Sequence, residues 1–508
     1  MIPLATRLLA TASADPLRPA LVQGTRRTSY GELAHAAMQF AALLTTHGTS
    51  AGQRVAIVLP NCIEAVVAWY GAWLAGAIVV PLNVQARARD IGPWLRHADA
   101  QVLVHETGNL EIHAAVATLP SAPLRIGVGD DASADALAWD SIDMFPAHTG
   151  AGAARDATAA VLYTSGTTGA PKGVTLTQAN FAANTDAITH YLELSRDDSI
   201  AAILPFYYSY GASVLHSHLA VGARLVIETN LVFPQVIVET MARERVSGFA
   251  GVPSTYAMLL DRVVLADHDL SSLRYLTQAG GAMSTALTRR VRDAFPRTRL
   301  FVMYGQTEAT ARLTWLPPER LDDKPGSVGL AVADTRIEVR NESGEALPPG
   351  NSGEIWAHGP GVMAGYWCDP PATASVLHDG WLRTGDMGHV DADGFLHLAG
   401  RRSDMIKTGA HRVHPLDVEE AIAELDGVAE VAVAGIDDAT LGQSIKAFVV
   451  RANGAELGVD QIKAHCRAHL AGYKIPRQVA FVASLPKTAS GKIRRTLLTD
   501  PSANLEAS

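Results

Sequence analysis

The chain has 508 residues, 48% hydrophobic and 18% charged, with a formal net charge of −9. That length predicts two to four structural units with ample core, and the negative balance excludes a general nucleic-acid binder. Three scattered cysteines, Cys62, Cys368 and Cys466, lack metal-site spacing and fit a reducing, cytoplasmic compartment, while no apolar run approaches the eighteen residues of a membrane span.

The N-terminal stretch carries Arg7 and Arg18 but is interrupted by Asp15. With no apolar signal core, it reads as the first helix of the mature protein. A helical pattern then runs from Tyr30 to about Leu44, a buried strand from Arg54 to Leu59, an apolar helix from Ile63 to Leu74 and a strand from Ala77 to Pro81. This alternation predicts a parallel α/β sheet. It resumes at Ile200–Leu204, Ala223–Ile227, a helix from Pro234 to Arg245, and Gly248–Gly251.

Between the two α/β stretches lies the run Tyr163–Gly173, Tyr-Thr-Ser-Gly-Thr-Thr-Gly-Ala-Pro-Lys-Gly. Strand-like segments, Thr158–Leu162 and Val174–Thr177, flank it. Glycines let backbone N–H groups turn inward, hydroxyls add donors and the lysine neutralises charge, so the loop suits a polyphosphate. It is not a Walker A loop, which ends Gly-Lys-Ser/Thr where this one has Pro171-Lys172-Gly173. A flexible linker is the alternative, but linkers rarely end in Pro-Lys-Gly followed by β-branched residues.

From about Gly326 to Ala399 short strands and turns predict a small antiparallel β unit. Beyond Gly400–Asp404 comes a helix from Leu416 to Leu425, strands at Val428–Ala434 and Lys446–Val450, and a helix from Val459 to Leu470. These predict a separate α+β unit. Residues 1–402 are thus expected to form one large domain and 403–508 a second. Lys446 to Arg495 holds ten Lys/Arg against two Asp/Glu, which is either a solvated face or a docking surface for a phosphorylated or acidic partner.

Four more segments carry candidate chemistry. Tyr304-Gly-Gln-Thr-Glu308 follows the apolar Leu300–Met303, and a strand-end glutamate beside a threonine suits magnesium. Trp381–Asp386 offers a carboxylate for ribose hydroxyls. Gly400-Arg401 places a cation at the unit boundary. Pro486–Arg495 sets Lys492 in a glycine-containing loop.

In this order the motifs resemble those of the acyl-adenylate-forming superfamily of acyl- and aryl-CoA synthetases, adenylation domains and luciferases. The resemblance runs from Tyr30 to Arg495. It implies an α/β fold: a large N-terminal domain of parallel sheets plus a small β-barrel-like unit, and a mobile α+β C-terminal domain. It further implies that Thr164, Ser165, Gly166, Thr167, Thr168 and Lys172 grip ATP phosphates. Gly280, Gly281, Ala282, Tyr304 and Gly305 would line adenine, and Asp386 with Arg401 would hold ribose. Thr307 and Glu308 would serve magnesium and the α-phosphate, Thr164 and Glu308 being the implied Mg2+ ligands. Lys492 matches the adenylation lysine, Ser403 the hinge, and Lys407, Gly409 and Ala410 the thiol tunnel. Ser403 departs from the usual charged hinge residue, and Ala410 from the usual Gly-Gly.

The implied chemistry is attack of a carboxylate on the α-phosphate of ATP, then acyl transfer to a thiol. Two anions must meet, so catalysis needs cations and N–H donors more than acid–base groups. The acceptor is expected to be CoA, or the phosphopantetheine arm of an acyl carrier protein acting in trans. A luciferase-like oxygenase, an inactive binding protein and a P-loop ATPase are disfavoured. The enzyme is expected as a monomer or homodimer.

The segment Pro205–Gly211 (Pro-Phe-Tyr-Tyr-Ser-Tyr-Gly) occupies the family's acyl-pocket position. Tyr208 stands where His is frequent. Ser209 stands where amino-acid-activating members carry an aspartate, which favours a small carboxylic acid without an α-amino group. Tyr207, Ser213, Val252, Ala309 and Arg312 complete the expected pocket. Three tyrosines suit an aromatic or hydroxylated acid, unless Tyr207 and Tyr210 turn into the core. Arg312 either meets a second substrate carboxylate or is a surface or structural arginine.

Overall fold

A computed structural model of the protein describes residues 2–129, 135–148, 153–164, 172–229, 233–409, 411–438, 440–452, 454–488 and 493–499. Among them the strands form three sheets of eight, fourteen and five members. The first sheet is centred on Arg54–Val58, which pairs in parallel with Ile78–Pro81 on one side and Ala100–Glu106 on the other. These strands are almost wholly apolar, as expected where helices cover both faces. At one edge Thr158–Thr164 and Lys172–Thr177 form an antiparallel hairpin.

The second sheet holds a parallel core of Arg224–Ile227, Ser199–Ala202, Gly248–Gly251, Tyr275–Gln278 and Arg299–Tyr304. Consecutive parallel strands bring their C-terminal ends to one rim, where α/β folds gather ligand-binding loops. The antiparallel strands expected between residues 326 and 399 are present, but they are not a free-standing sheet. Ser327–Ala331 pairs with Thr314–Leu316 on one side and Leu396–Arg401 on the other, joining them to the parallel core. Gly365–Tyr366 leaves this group and pairs with the hairpin strand Lys172–Thr177 of the first sheet. The pairings with Leu396–Arg401 and with Lys172–Thr177 join segments distant in sequence, which strand periodicity does not report.

Helix starts follow local chemistry. Ser29 and Glu32 form a reciprocal capping box at the head of Tyr30–Thr46, and Thr177 with Asn180 does the same for Gln178–Tyr191. The helix Ser209–Ala220 is buried through His216 and His218. His216 sits among Trp69, Tyr70, Trp73 and Phe181, and burial pushes its imidazole down to about 3. His218 is held between the Val214 carbonyl at 2.8 Å and the Tyr275 hydroxyl at 2.5 Å, and is pushed down to about 4.

The five-stranded sheet lies between Ile406 and Phe481, with helices Pro415–Ala423 and Val459–His469 beside it. Two apolar clusters drawn entirely from residues 406–498 form its core. The basic stretch from Lys446 is partly neutralised by acids outside it. Lys474 meets Asp417, Arg477 meets Asp438, Lys487 meets Glu430 and Arg495 meets Glu419. All three cysteines are free, and no described helix is long and apolar enough to cross a membrane.

Candidate active site

The rim of the second sheet collects Val252 after Gly248–Gly251, Ala279–Ala282 after Tyr275–Gln278, and Gly305–Glu308 after Arg299–Tyr304. Gly280 has φ +85°, and a Cβ there would press on Val252, so glycine suits this turn on two counts. Gln278 donates to the Gly281 carbonyl at 2.8 Å and fixes the loop from inside.

Asp386 enters from the strand Trp381–Val390, whose neighbour Leu396–Arg401 places Arg401 directly opposite it. Arg401 Nε lies 2.8 Å from Asp386 Oδ1, and the Tyr304 hydroxyl donates to Oδ2 at 2.6 Å. The Asp386 carboxylate raises the Arg401 guanidinium against the opposing effect of burial. Burial, followed by that same carboxylate, raises the Tyr304 phenol, which keeps it a hydrogen-bond donor. Three predicted residues from three segments therefore meet.

Glu308 accepts a hydrogen bond at 3.0 Å from Tyr366 on the strand Gly365–Tyr366. Lys172 Nζ lies over the same Tyr366 ring, 5.0 Å from its centroid. Tyr366 was not foreseen; it sits 58 residues from Glu308 on a two-residue strand with no local signal. Thr164 faces Lys172 across the hairpin ladder, so the two residues that flank the predicted loop stand opposite each other. Ser165, Gly166, Thr167 and Thr168 lie outside the described residues, as do Ala410 and Lys492.

A cavity of about 470 Å3 opens here, lined by Gln306, Glu308, Tyr366, Thr384, Arg401 and Ser403 among others. Glu354 also lines it, taking Arg383 in a fork at 2.9 Å and Arg402 at 2.9 Å. Neither Glu354 nor Arg402 was foreseen. Ser403 is exposed and bonds its neighbour Asp404 at 3.0 Å. A larger cavity, about 720 Å3, opens at the ends of Arg54–Val58 and Ala100–Glu106, but none of the predicted residues lines it.

Thr307 Oγ1 and Ser209 Oγ are 3.2 Å apart, which joins the Tyr304–Glu308 segment to the predicted acyl pocket. The Tyr207 and Tyr208 rings pack at a tilt of 57°, with centroids 4.6 Å apart. Tyr208 is raised by burial and pulled back by the Arg494 guanidinium, two residues beyond Lys492. Tyr210 turns inward, its hydroxyl 2.9 Å from the Thr277 carbonyl, while Ser213 bonds its own helix at the Tyr210 carbonyl. Ala309 is buried.

After Glu308 the chain makes a tight reversal. Thr310 has φ +63° and ψ −61°, and Ala311 N–H reaches the Ala309 carbonyl at 2.7 Å, a γ-turn of the rare strained kind. Thr310 Oγ1 anchors it on the Gly361 carbonyl at 2.7 Å. Asn184 of the helix Gln178–Tyr191 then clamps both backbone groups of Arg312, at 2.9 and 3.3 Å. Arg312 is thereby carried inward and is not a surface residue. In the smaller unit Lys407 and Gly409 are exposed, and Gly409, at φ +58°, bonds the Leu441 carbonyl at 2.8 Å.

The profile of AMP-binding enzymes matches residues 8–367, and that of the AMP-binding enzyme C-terminal domain matches residues 417–492. The long-chain-fatty-acid–CoA ligase of Bacillus subtilis strain 168 is 32% identical, over 98% of this chain and 94% of its own. The feruloyl-CoA synthase of an Amycolatopsis species is 34% identical over 95% of each. A solved anthranilate CoA ligase in complex with anthranoyl-AMP superposes with a TM-score of 0.91 at 27% identity, covering 98% of this chain and 96% of that one.

Proposed function

Since the chain belongs to the family of AMP-binding enzymes, we propose that it is an AMP-forming ligase joining a carboxylic acid to the thiol of CoA. The observation that carries the reading is the Asp386 clasp, with Tyr304 and Arg401 on its two oxygens beside the cavity that Glu308 also lines. A buried carboxylate whose geometry is fixed on both sides suits recognition of a ribose diol.

The substrate carboxylate attacks the α-phosphorus of ATP, and the bond to the pyrophosphate oxygen breaks. The thiol sulfur then attacks the acyl carbon of the acyl-AMP, and AMP leaves. Lys172 and the loop it closes hold the phosphates, Thr307 and Ser209 orient the attacking carboxylate, and Lys492 adds positive charge at the reacting phosphate. Glu308 and Thr164 offer the hard oxygen donors that magnesium prefers, and the ion would supply further charge to the phosphates when bound. Gly280 to Ala282 and Gly305 form the adenine wall. Residues 403–508 turn about Ser403 between the two steps, bringing Lys407, Gly409 and Ala410 to the thiol.

The named relatives take different acids, so the acid follows from this chain's own pocket. No aspartate stands at Ser209 to meet an ammonium group, which supports a non-amino acid. The test is pyrophosphate release over aryl, aliphatic and amino acids, followed by mass analysis of products with CoA or with carrier protein. A CoA thioester of a non-amino acid is expected. Preference for an α-amino acid, or acylation of a carrier alone, would sink that part of the reading.

A further inference from the structure

Seven Asp, Glu, Arg and Lys side chains are buried among the described residues, and six are carboxylates. Each of the six has an arginine partner: Glu64 with Arg26, Asp198 with Arg274, Glu244 with Arg27, Glu354 with Arg383, Asp386 with Arg401 and Glu419 with Arg495. The seventh is Arg312, 4% exposed, and no described carboxylate pairs with it.

Its neighbours are neutral. Nε lies 3.3 Å from the Met303 sulfur, the guanidinium covers the Tyr210 ring at 4.2 Å, and the Tyr191 hydroxyl is a further contact. Burial raises the Tyr191 and Tyr210 phenols, so neither becomes an anion that could balance the charge. A thioether is a weak acceptor and an aromatic face compensates a desolvated cation only in part. Folding does not drive Arg312 there by pairing, as it does the other buried charges. Instead the γ-turn at Thr310 and the Asn184 clamp hold its backbone in place.

Its position points to what completes it. Tyr210, under the guanidinium, directly follows Ser209, whose hydroxyl meets Thr307. Arg312 therefore stands one residue layer behind the pair assigned to the reacting carboxylate. We propose that Arg312 is the anion-binding end of the acyl pocket and that the substrate is a dicarboxylic acid, one carboxylate activated beside Thr307 and the other paired with Arg312. A planar guanidinium matches a carboxylate in a two-point fork, and an anion entering this site ends the isolation of a buried cation.

This inference rests on the acid-activating reading above, and the test separates the two. Pyrophosphate release is measured for matched pairs, hexanoate against adipate and octanoate against suberate, with wild type, Arg312→Met and Arg312→Lys. Wild type is expected to favour the diacid at least tenfold in kcat/KM. In Arg312→Met the diacid is expected to lose about a hundredfold, mostly through KM, with the monoacid unchanged or improved, and Arg312→Lys should recover part of the loss. Wild-type preference for the monoacid, or equal losses for both acids in Arg312→Met, would overturn the inference and leave the ligase reading standing. Should Arg312→Met fail to fold, the wild-type comparison decides alone. Release with no acid in either series or in the wider screen would overturn both.

Discussion

The Tyr304 hydroxyl reaches Asp386 at 2.6 Å across 82 residues of sequence, and the same carboxylate holds Arg401, which lines a cavity. Removing that hydroxyl takes away one of the contacts that orient the Asp386 carboxylate, Arg401 being another. Tyr304→Phe is expected to raise the KM for ATP roughly tenfold with little change in kcat, since a hydrogen bond to a charged group contributes about 1.5–3 kcal/mol. Steady-state kinetics at varied ATP check this; an unchanged KM would mean that Asp386 does not hold the nucleotide.

Glu308 is expected to matter in kcat. Its carboxylate is oriented by Tyr366, which also lies under Lys172. Glu308→Gln keeps the shape and removes the charge, so the loss should exceed about a hundredfold in kcat and should not be recovered by raising magnesium. Tyr366→Phe should cost much less, about three- to tenfold, because it loosens the carboxylate without removing it. Both are read from pyrophosphate release across a magnesium series. Full activity in Glu308→Gln would remove it from the chemistry.

Domain rotation about Ser403 can be separated from adenylation. Ser403 is exposed, so a ring there meets little resistance, but proline fixes φ near −65°. Ser403→Pro is expected to keep pyrophosphate release within about threefold while CoA thioester formation falls at least tenfold. Glu354→Gln, which weakens the grip on Arg402 next door, should act in the opposite sense and favour the thioester step. Single-turnover measurements of each half-reaction check both, and parallel losses in the two steps would refute a pivot at this residue.

Stability should fall on the acid side through the buried histidines. His218 is neutral when folded and pushed down to about 4, whereas the unfolded chain takes up a proton below about 6.5. Its contribution is therefore complete above pH 6.5 and is lost as pH falls from 6.5 toward 4, by about 3 kcal/mol. His216 acts in the same direction, continuing to lower pH. Melting temperature should accordingly drop over this range, and His218→Gln should flatten the acid limb. An identical limb in that variant would place the acid sensitivity elsewhere.

The elements and their order were legible because local rules set them. Period-two and period-3.6 patterns located the strands and helices, with ends displaced by a few residues, as in the helix expected to end at Arg245 that ends at Arg243. Tyr304, Asp386 and Arg401 were named from motifs, and they meet. Tyr366 and Glu354 escaped because their roles arise from pairings between distant strands, and Tyr366 lies on a two-residue strand. Arg312 was named, but its isolation could not be read from sequence. It depends on the absence of a carboxylate among neighbours supplied by the helix Gln178–Tyr191, by Tyr210 and by Met303.

The reversal at Thr310 does more than strain one peptide. Thr307 and Arg312 stand five positions apart in the sequence, so their Cα atoms can be no farther apart than about 18 Å, and the γ-turn shortens that span. The group proposed to serve the reacting end of the acid and the group proposed to grip its far end thus belong to one short peptide, which acts as a caliper. Its opening would be set by backbone geometry, and side-chain volume elsewhere in the pocket would matter less. A series of diacids of increasing length should show a sharp cut-off, and one residue inserted between Thr310 and Arg312 should move it.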